Sequence, residues 1–250
     1  MATGATRIQL CGRLVAEIDG APIHDALPGP QGRLLFGYLV AHRHRSTHRG
    51  ALVEILWPDA LPATPDATVR PLLSKLRQVV GEDRLLGRGE LQLVLPDETR
   101  VDVETANRAI HDAASAVAQE RWRDAWLPSR VAWSVTQREF MSGMRGPWID
   151  ERRTELEDLH LQALECIAQT GIRLGGAELP AAEKAARALV KAAPYRESGY
   201  RHLMEALEAG ANIAEALRVY DRVLCLLREE LGVSPGRELA RVHQRLLSRL

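Results

Sequence analysis

Cysteine is scarce in this chain of 250 residues, which has three, all far apart. Cys11, Cys166 and Cys225 are odd in number and form no C-x-x-C pair, which argues against disulfides and against a zinc site. No apolar run approaches the roughly 18 residues of a membrane span, and the N-terminus lacks the pattern of a signal peptide. These absences predict a reduced, soluble, cytoplasmic protein that does not associate with a membrane.

The chain also has no net charge and lacks the motifs of the common enzymes. Lys+Arg and Asp+Glu both number 33, so any nucleic-acid binding must come from a local basic patch. The sequence contains no G-x-S-x-G, phosphate-loop, H-E-x-x-H or G-x-G-x-x-G motif. We therefore expect no enzymatic activity and no cofactor.

The first part of the chain mixes short alternating runs with short helical patterns. Residues 7–23 predict short strands with a hairpin turn at Asp19-Gly20. Apolar residues at helical spacing predict two helices, over 32–42 and 49–57. Strands followed by helices in this order predict a mixed α and β domain.

A third helix and a hairpin complete this pattern. Thr64 is the expected N-cap of the helix, Pro65 its first residue and Gly81 its stop. Residues 84–96 alternate around a glycine-containing turn, which predicts a β-hairpin. Strands, three helices and a hairpin form a winged helix-turn-helix, in which the third helix enters the major groove of DNA and the hairpin lies along the backbone or the minor groove.

The third helix has an apolar side and a basic side. We expect one arc to face the core, namely Val69, Leu72, Leu73, Leu76, Val79 and Val80. The opposite arc carries Arg70, Ser74 and Arg77, with Lys75 and Gln78 beside them. These groups can bind guanine edges and phosphates, although a solvated basic face would look the same. Pro71 lies inside the helix and predicts a kink.

The stretch "VAHRHRSTHRG" (40–50) concentrates His42, His44 and His48 among arginines. A zinc site needs three or four converging ligands, and interleaved arginines would repel the cation, so we expect no metal here. Two interpretations remain open. The stretch is either a plain solvated loop or a loop in which Arg49 or its neighbours contact DNA phosphates.

The second part of the chain, from about residue 101, is almost wholly helical in pattern. Ala182 and Ala216 each open an amphipathic helix and stand 34 residues apart, which is the period of tetratricopeptide hairpins. Unrelated helices of a bundle are the alternative. The predicted fold is therefore mainly α, with a winged helix-turn-helix domain over 1–100 and an all-α, tetratricopeptide-like repeat domain over 101–250.

Three tryptophans lie close together in this second part. Trp122, Trp126 and Trp133 are spaced for a helix, and Pro128 is expected to break it between the second and the third. Large aromatic residues at helical spacing pack in a core more often than they line a ligand groove. Both interpretations stay open.

Several segments resemble the Streptomyces antibiotic regulatory proteins. The segments "RIQLCGRLVAEIDGAPI", "RGALVEILWPDALPATPDAT" and "LLSKLRQVVG" are similar to the winged-helix domain of that family. The segments "GPWIDERR" and "EELGVSPGREL" are similar to its bacterial transcriptional activation domain, and the resemblance covers nearly the whole chain. It implies an activator with a DNA-binding domain of the two-component regulator type. Such an activator binds direct repeats near a promoter and recruits RNA polymerase, typically at biosynthetic gene clusters.

The resemblance also assigns roles to particular residues. The recognition helix corresponds to residues 64–80, with Ser74 to Arg77 on the family's Ser-Arg-Leu-Arg segment and Arg70 at a usually polar position. Arg88 corresponds to the wing tip, and His48 stands where Ser or Thr usually caps the second helix. Since the sequence ends at Leu250, a small stand-alone member is expected.

The expected DNA contacts are therefore Arg70, Ser74, Lys75, Arg77, Gln78, Arg49 and Arg88. Double-stranded promoter DNA and RNA polymerase are the expected partners, with two copies of the chain on the DNA. Two other functions remain open. One is a helical-repeat adaptor that has weak DNA binding or none, and the other is a regulator that responds to a small molecule.

Overall fold

The computed structural model describes residues 4–249, which form two compact units. The first comprises residues up to 105 together with 138–156, and the second comprises 106–137 and the residues from 157 onward. The sequence pattern puts a boundary at 100/101, whereas the two units interleave along the chain. Segment 138–156 joins the first unit because Met141 N–H donates to the Leu10 carbonyl and Gly12 N–H to the Glu139 carbonyl, both at 2.7 Å.

The first unit contains a sheet with the strand order β3-β2-β1-β7. The strands are β1 Arg7–Gln9, β2 Val15–Ile18, β3 Ala21–Pro22 and β7 Arg100–Val101. The first three are antiparallel neighbours, and the predicted Asp19-Gly20 turn lies between β2 and β3. β7 pairs in parallel with β1 and was missed, since two residues leave no alternating pattern.

Three helices and a second sheet complete this unit. The helices are α1 Gly29–Ala41, α2 Arg49–Leu56 and α3 Pro65–Val80, and the wing consists of β5 Leu85–Leu86 and β6 Glu90–Leu93. A short strand, β4 Thr47–His48, pairs with β6, so that the sheet order is β4-β6-β5. The predicted winged helix-turn-helix is confirmed, and β4 extends it by one strand.

The apolar side of α3 packs in the core of the first unit. Val69, Leu73, Leu76 and Val80 are buried, with at most 3% of their surface exposed. Leu72 and Val79, which we expected in the same arc, are half-buried at its edges. The core stripe is therefore narrower than the sequence pattern indicates, and a wider part of the helix surface is solvent-accessible.

The ends of α3 agree with the sequence, but the capping chemistry at its start differs. Thr64 is the N-cap residue, yet its side chain makes no capping hydrogen bond. Instead its carbonyl accepts from Thr68, from both the N–H (3.1 Å) and the hydroxyl (3.0 Å). The helix continues through Pro71, and the kink expected there stays a prediction. Ala67, whose carbonyl Pro71 cannot bond, is exposed, so water can hydrate that carbonyl.

The second unit is all-helical, as predicted. The helices from α4 onward are α4 Asp102–Ala118, α5 Trp122–Thr136, α6 Pro147–Leu174, α7 Leu179–Ala192, α8 Glu197–Ala209, α9 Ile213–Leu231 and α10 Arg237–Leu247. Of these, α4 and α6 begin in the first unit and end in the second. Helix α8 packs against α7, α9 and α10. Ala182 and Ala216 hold the same place, the fourth residue, in α7 and α9, and both are fully buried. The tetratricopeptide period itself stays a prediction.

Helix α5 contains all three clustered tryptophans. It continues through Pro128, so the expected break between Trp126 and Trp133 was wrong. The helix survives the lost backbone bond because Ala125, Ser129 and Ala132 are buried on both sides of the proline. Trp126 and Trp133 are partly buried against the core of the second unit.

Within residues 4–249, no helix is long and apolar enough to cross a lipid bilayer.

Candidate nucleic-acid interface

One exposed face of α3 carries four of the predicted DNA-contacting side chains. Arg70, Ser74, Lys75 and Gln78 are all exposed. Within the described part of the chain, none of the four makes a hydrogen bond or an ion pair through its side chain. Arg70, Ser74 and Arg77 follow one another at i, i+4 and i+7, which places them along one side of the helix. This side presents donors that are free to bind an external acceptor.

Arg77 differs from its neighbours on this face because the wing engages its guanidinium. Its Nε donates to the Leu85 carbonyl at 3.2 Å, and its Nη2 donates to the Gly87 carbonyl at 2.6 Å. Both acceptors belong to the first half of the hairpin. Arg77 therefore holds the wing against the C-terminal half of α3, and fewer of its donors remain for DNA than the sequence suggests.

The tip of the wing is a tight turn that depends on glycine. Gly87 has a φ of +84°, and a side chain there would overlap the carbonyl oxygen of Glu90. Arg88 follows at the tip, where it is exposed and has no side-chain partner among residues 4–249. The predicted wing-tip position of Arg88 is therefore accessible to a ligand.

Arg49 begins α2 and is largely taken up by contacts within the unit. Its Nε lies 3.1 Å from Asp66 Oδ1, its Nη2 donates to the Asp66 carbonyl at 2.8 Å, and its side chain is 20% exposed. Its backbone N–H donates to the Gly89 carbonyl at 2.8 Å. Arg49 thus connects the start of α2 to the first turn of α3 and to the wing, and DNA contact by Arg49 stays a prediction.

The histidines of the 40–50 stretch do not converge. His42 donates from Nδ1 to the Tyr38 carbonyl at 2.8 Å and packs on the Tyr38 ring. His44 lies 3.5 Å from Glu104, whereas His48 Nδ1 accepts from Gly50 N–H and so caps α2. The three imidazoles therefore contact three different groups and do not share a site.

The charged groups around the 40–50 stretch also act within the protein. Burial lowers the pKa of His42 below its usual 6.5, and the nearby charges of Arg45 and Arg152 act in the same direction, against the opposing effect of its bond to Tyr38. Arg43 donates to both carboxylate oxygens of Glu104, at 2.8 Å each, and is therefore not available to DNA.

Sequence reasoning missed Arg45, which is exposed in the loop between α1 and β4. Two contacts join this loop to the wing: Thr47 pairs with Leu91, and the Ser46 hydroxyl donates to Glu90 at 3.0 Å. Arg45 therefore stands two residues before the strand β4 that pairs with the wing. The two residues of β4 were too weak a signal to predict this placement.

The metal-ligand residue types do not cluster in the described residues, and two of the three cysteines are buried. Among residues 4–249, no three His, Cys, Asp or Glu side chains are placed to hold a metal ion. Burial, with the charge of Asp102, raises the pKa of Cys11 to about 12. Burial, with the charge of Glu165, raises that of Cys166 to about 11. Both thiols are therefore protonated and unreactive at neutral pH.

The chain thus combines a winged helix-turn-helix unit with an all-helical unit. Residues 101–247 match the model of the bacterial transcriptional activator domain. The chain belongs to this family, and with it to the Streptomyces antibiotic regulatory proteins. Members of the family are transcriptional regulators and not enzymes.

Proteins of similar sequence are named as regulatory proteins, which is consistent with this family. The regulatory protein AfsR of Streptomyces griseus is 32% identical over 87% of this chain, which spans 22% of the relative. The transcriptional regulatory protein EmbR of Mycobacterium tuberculosis is 29% identical over 95% of this chain, which spans 62% of that relative. This chain is therefore similar to a part of each of these two proteins.

A solved structure shares the fold. The structure of Mycobacterium tuberculosis EmbR in complex with a low affinity phosphopeptide superposes with a TM-score of 0.82. The match covers 98% of this chain and 65% of that one, at 24% sequence identity. At this identity the likeness establishes the fold, and the mainly α architecture predicted from the sequence is confirmed.

Proposed function

We propose that this chain is a sequence-specific transcriptional activator whose first unit binds double-stranded promoter DNA. The observation that carries the proposal is the exposed face of α3, where Arg70, Ser74, Lys75 and Gln78 have no protein partner among the described residues, beside a wing that Arg77 holds in place. Free donors on a helix of this kind fit the major groove, where base edges present acceptors.

The role of each side chain follows from its place on α3 or the wing and from whether it already binds another group of the protein. Arg70 and Ser74 read base edges or contact the adjacent phosphates, and Lys75 and Gln78 contact phosphates at the sides of the groove. Arg88 binds the backbone at the wing. Arg77 acts mainly by orienting the wing, because two of its donors are already engaged. Arg45 provides a further exposed cation, two residues before β4.

Zero net charge shapes how such a protein recognises DNA. With 33 basic and 33 acidic residues, the whole molecule provides no attraction for DNA beyond its local patch. Non-specific affinity is then weak, since counterion release scales with the number of phosphates neutralised. We infer that the specific complex uses two copies on a direct repeat and that the helical unit recruits RNA polymerase, as the resemblance implies for promoters of biosynthetic gene clusters.

A footprinting titration tests this proposal. The full chain is added to the DNA upstream of its own gene and to a scrambled fragment of equal length. We expect two adjacent protected segments of the same orientation on the natural DNA and none on the scrambled one at equal protein concentration. Equal protection of both fragments, or of neither, would refute sequence-specific binding.

One observation favours a second candidate, an adaptor that acts through its helical unit. Two of the seven predicted DNA contacts, Arg49 and Arg77, bind groups of the protein itself. In such an adaptor, the basic face of α3 would be a solvated surface that binds no DNA. This candidate predicts that the chain protects no DNA in the same footprinting experiment.

A further inference from the structure

The second unit contains a groove between α5, α6 and α7 with a volume of about 240 Å³. We call it the α5–α7 groove. Its apolar wall is formed by Trp133 of α5 with Leu164 and Ile167 of α6, and α7 closes the other side. Since the wall combines one aromatic and two branched side chains, it suits an apolar body that is flat or compact.

The groove exists because α7 places small residues on this side. Ala181, Ala185 and Ala188 follow at i, i+4 and i+7 and line the groove together, so no long side chain fills it. Next to it, Gly171 of α6 allows α6 and α7 to pack closely. A Cβ at Gly171 would lie 2.7 Å from the Cβ of Ala182. Close packing on one side and short side chains on the other shape an open groove between the helices.

Two cations border the groove, and no acid lines it among residues 4–249. The guanidinium of Arg130 lies over the Trp126 ring, 5.5 Å from its centre, which restrains the side chain. Lys184 is exposed and has no ion-pair partner in the described part of the chain. The nearby Glu183 is paired with Arg187 at 2.8 Å. The edge of an apolar groove therefore carries unneutralised positive charge.

We propose that the α5–α7 groove binds a small amphipathic carboxylic acid. The apolar body lies against Trp133, Leu164 and Ile167, and the carboxylate accepts hydrogen bonds from Lys184 and Arg130. A volume of about 240 Å³ suits a one- or two-ring acid and is small for a peptide. The proposal involves the second unit alone and does not depend on DNA binding.

The test uses 2-naphthoate as the probe and the neutral 2-naphthylmethanol as its matched control. Binding to the full chain is measured by isothermal titration calorimetry in the absence of DNA. We expect saturable binding of the acid and at least about tenfold weaker binding of the alcohol, since a charge-assisted hydrogen bond is stronger than a neutral one. The melting temperature of the full chain should rise with the concentration of the acid.

Variants locate the site within the chain. Lys184→Gln and Arg130→Gln should each weaken binding by about three- to tenfold. Lys191→Gln is the matched control, because Lys191 is exposed two turns further along α7 and does not line the groove. Ala188→Leu fills the groove and should abolish binding, while circular dichroism verifies that the fold is retained.

Four outcomes would overturn the proposal. They are the absence of binding at the solubility limit of 2-naphthoate, equal affinity for the alcohol, equal affinities of the Lys184→Gln and Lys191→Gln proteins, and unchanged binding by a folded Ala188→Leu protein. Since no DNA is present, each of these outcomes leaves the proposed function of the first unit standing.

Discussion

Arg77 donates a hydrogen bond to the carbonyl of Gly87 at 2.6 Å, and this contact joins the candidate recognition helix to the tip of the wing. The same guanidinium donates a second hydrogen bond, from Arg77 Nε to the Leu85 carbonyl. The spacing of a helix and a hairpin that bind the same duplex must match the spacing of its grooves. We therefore regard Arg77 as the residue that sets the relative position of α3 and the wing.

Replacing Arg77 should cost stability, whereas replacing its neighbour Arg70 should not. Arg77→Ala removes two charge-assisted hydrogen bonds and should lower the free energy of unfolding by about 1–3 kcal/mol. Arg70→Ala removes an exposed side chain without partners among the described residues, so the change should stay within about 0.5 kcal/mol. Denaturant titrations of the two variants and the wild type measure both values. Equal losses in the two variants would contradict the anchoring role of Arg77.

Two glycines in the same turn should respond differently to alanine. At Gly87 the backbone φ is +84° and the added Cβ would overlap the Glu90 carbonyl, so Gly87→Ala should destabilise the wing by at least about 1 kcal/mol. At Gly89 no atom lies within 4 Å of the new Cβ. Gly89→Ala is thus the control and should be close to neutral. Amide hydrogen exchange of β5 and β6 reports the difference, and similar exchange in both variants would show that the wing does not depend on this turn.

The sequence predicted the main parts of this unit but not how they are joined. The helices and the hairpin were predictable because apolar residues recur at their periods, and Pro65 and Gly81 mark the ends of α3. The strands β4 and β7 have two residues each, too few for any periodic pattern. The roles of Arg77 and Arg49 depend on carbonyls and carboxylates elsewhere in the chain, and no local pattern reports such partners.

The sequence did not predict that segment 138–156 belongs to the first unit, because the partners of this segment are also distant in the sequence. Its backbone pairs with residues more than 100 positions earlier, as in the bond from Met141 N–H to the Leu10 carbonyl. The expected break at Pro128 failed for a different reason. Buried side chains on both sides of the proline stabilise α5 against the loss of one backbone bond.

Gly171 should be intolerant of any side chain, which tests the close packing of α6 on α7. In Gly171→Ala the new Cβ would lie 2.7 Å from the Cβ of Ala182 and 3.0 Å from the Glu178 carbonyl oxygen, so the two helices must separate. We expect a loss of about 1–3 kcal/mol in the free energy of unfolding. Gly210→Ala is the control, since its nearest neighbours are 3.5 Å away. A neutral Gly171→Ala variant would show that the helices are not in close contact here.

Acid should destabilise the protein partly through His42. Burial lowers the pKa of this imidazole below 6.5 in the folded chain, so below pH 6.5 the unfolded chain binds the proton more readily. The stabilising contribution is complete above that pH and is lost as the pH falls through the folded-state pKa. His42→Gln should therefore reduce the dependence of the melting temperature on pH between about 7 and 5.

The exposed His44 provides the comparison for this measurement, because His44→Gln leaves the buried imidazole of His42 in place. Some dependence should persist in His42→Gln, since burial also lowers the pKa of His160. Identical pH profiles of the His42→Gln and wild-type proteins would contradict the role of His42.

The salt dependence of DNA affinity, measured by fluorescence anisotropy, examines the face of α3 itself. The wild type, Arg70→Ala and the control Arg241→Ala, which removes an exposed arginine of the second unit, are titrated onto the upstream DNA and a scrambled fragment at several salt concentrations. If Arg70 contacts a phosphate, its removal should flatten the slope of log K against log salt by about one unit on both DNAs. If it reads a base, its removal should weaken binding to the upstream DNA alone by about 1–3 kcal/mol. Arg70→Ala and Arg241→Ala proteins that both match the wild type on both DNAs would show that this face of α3 does not bind DNA.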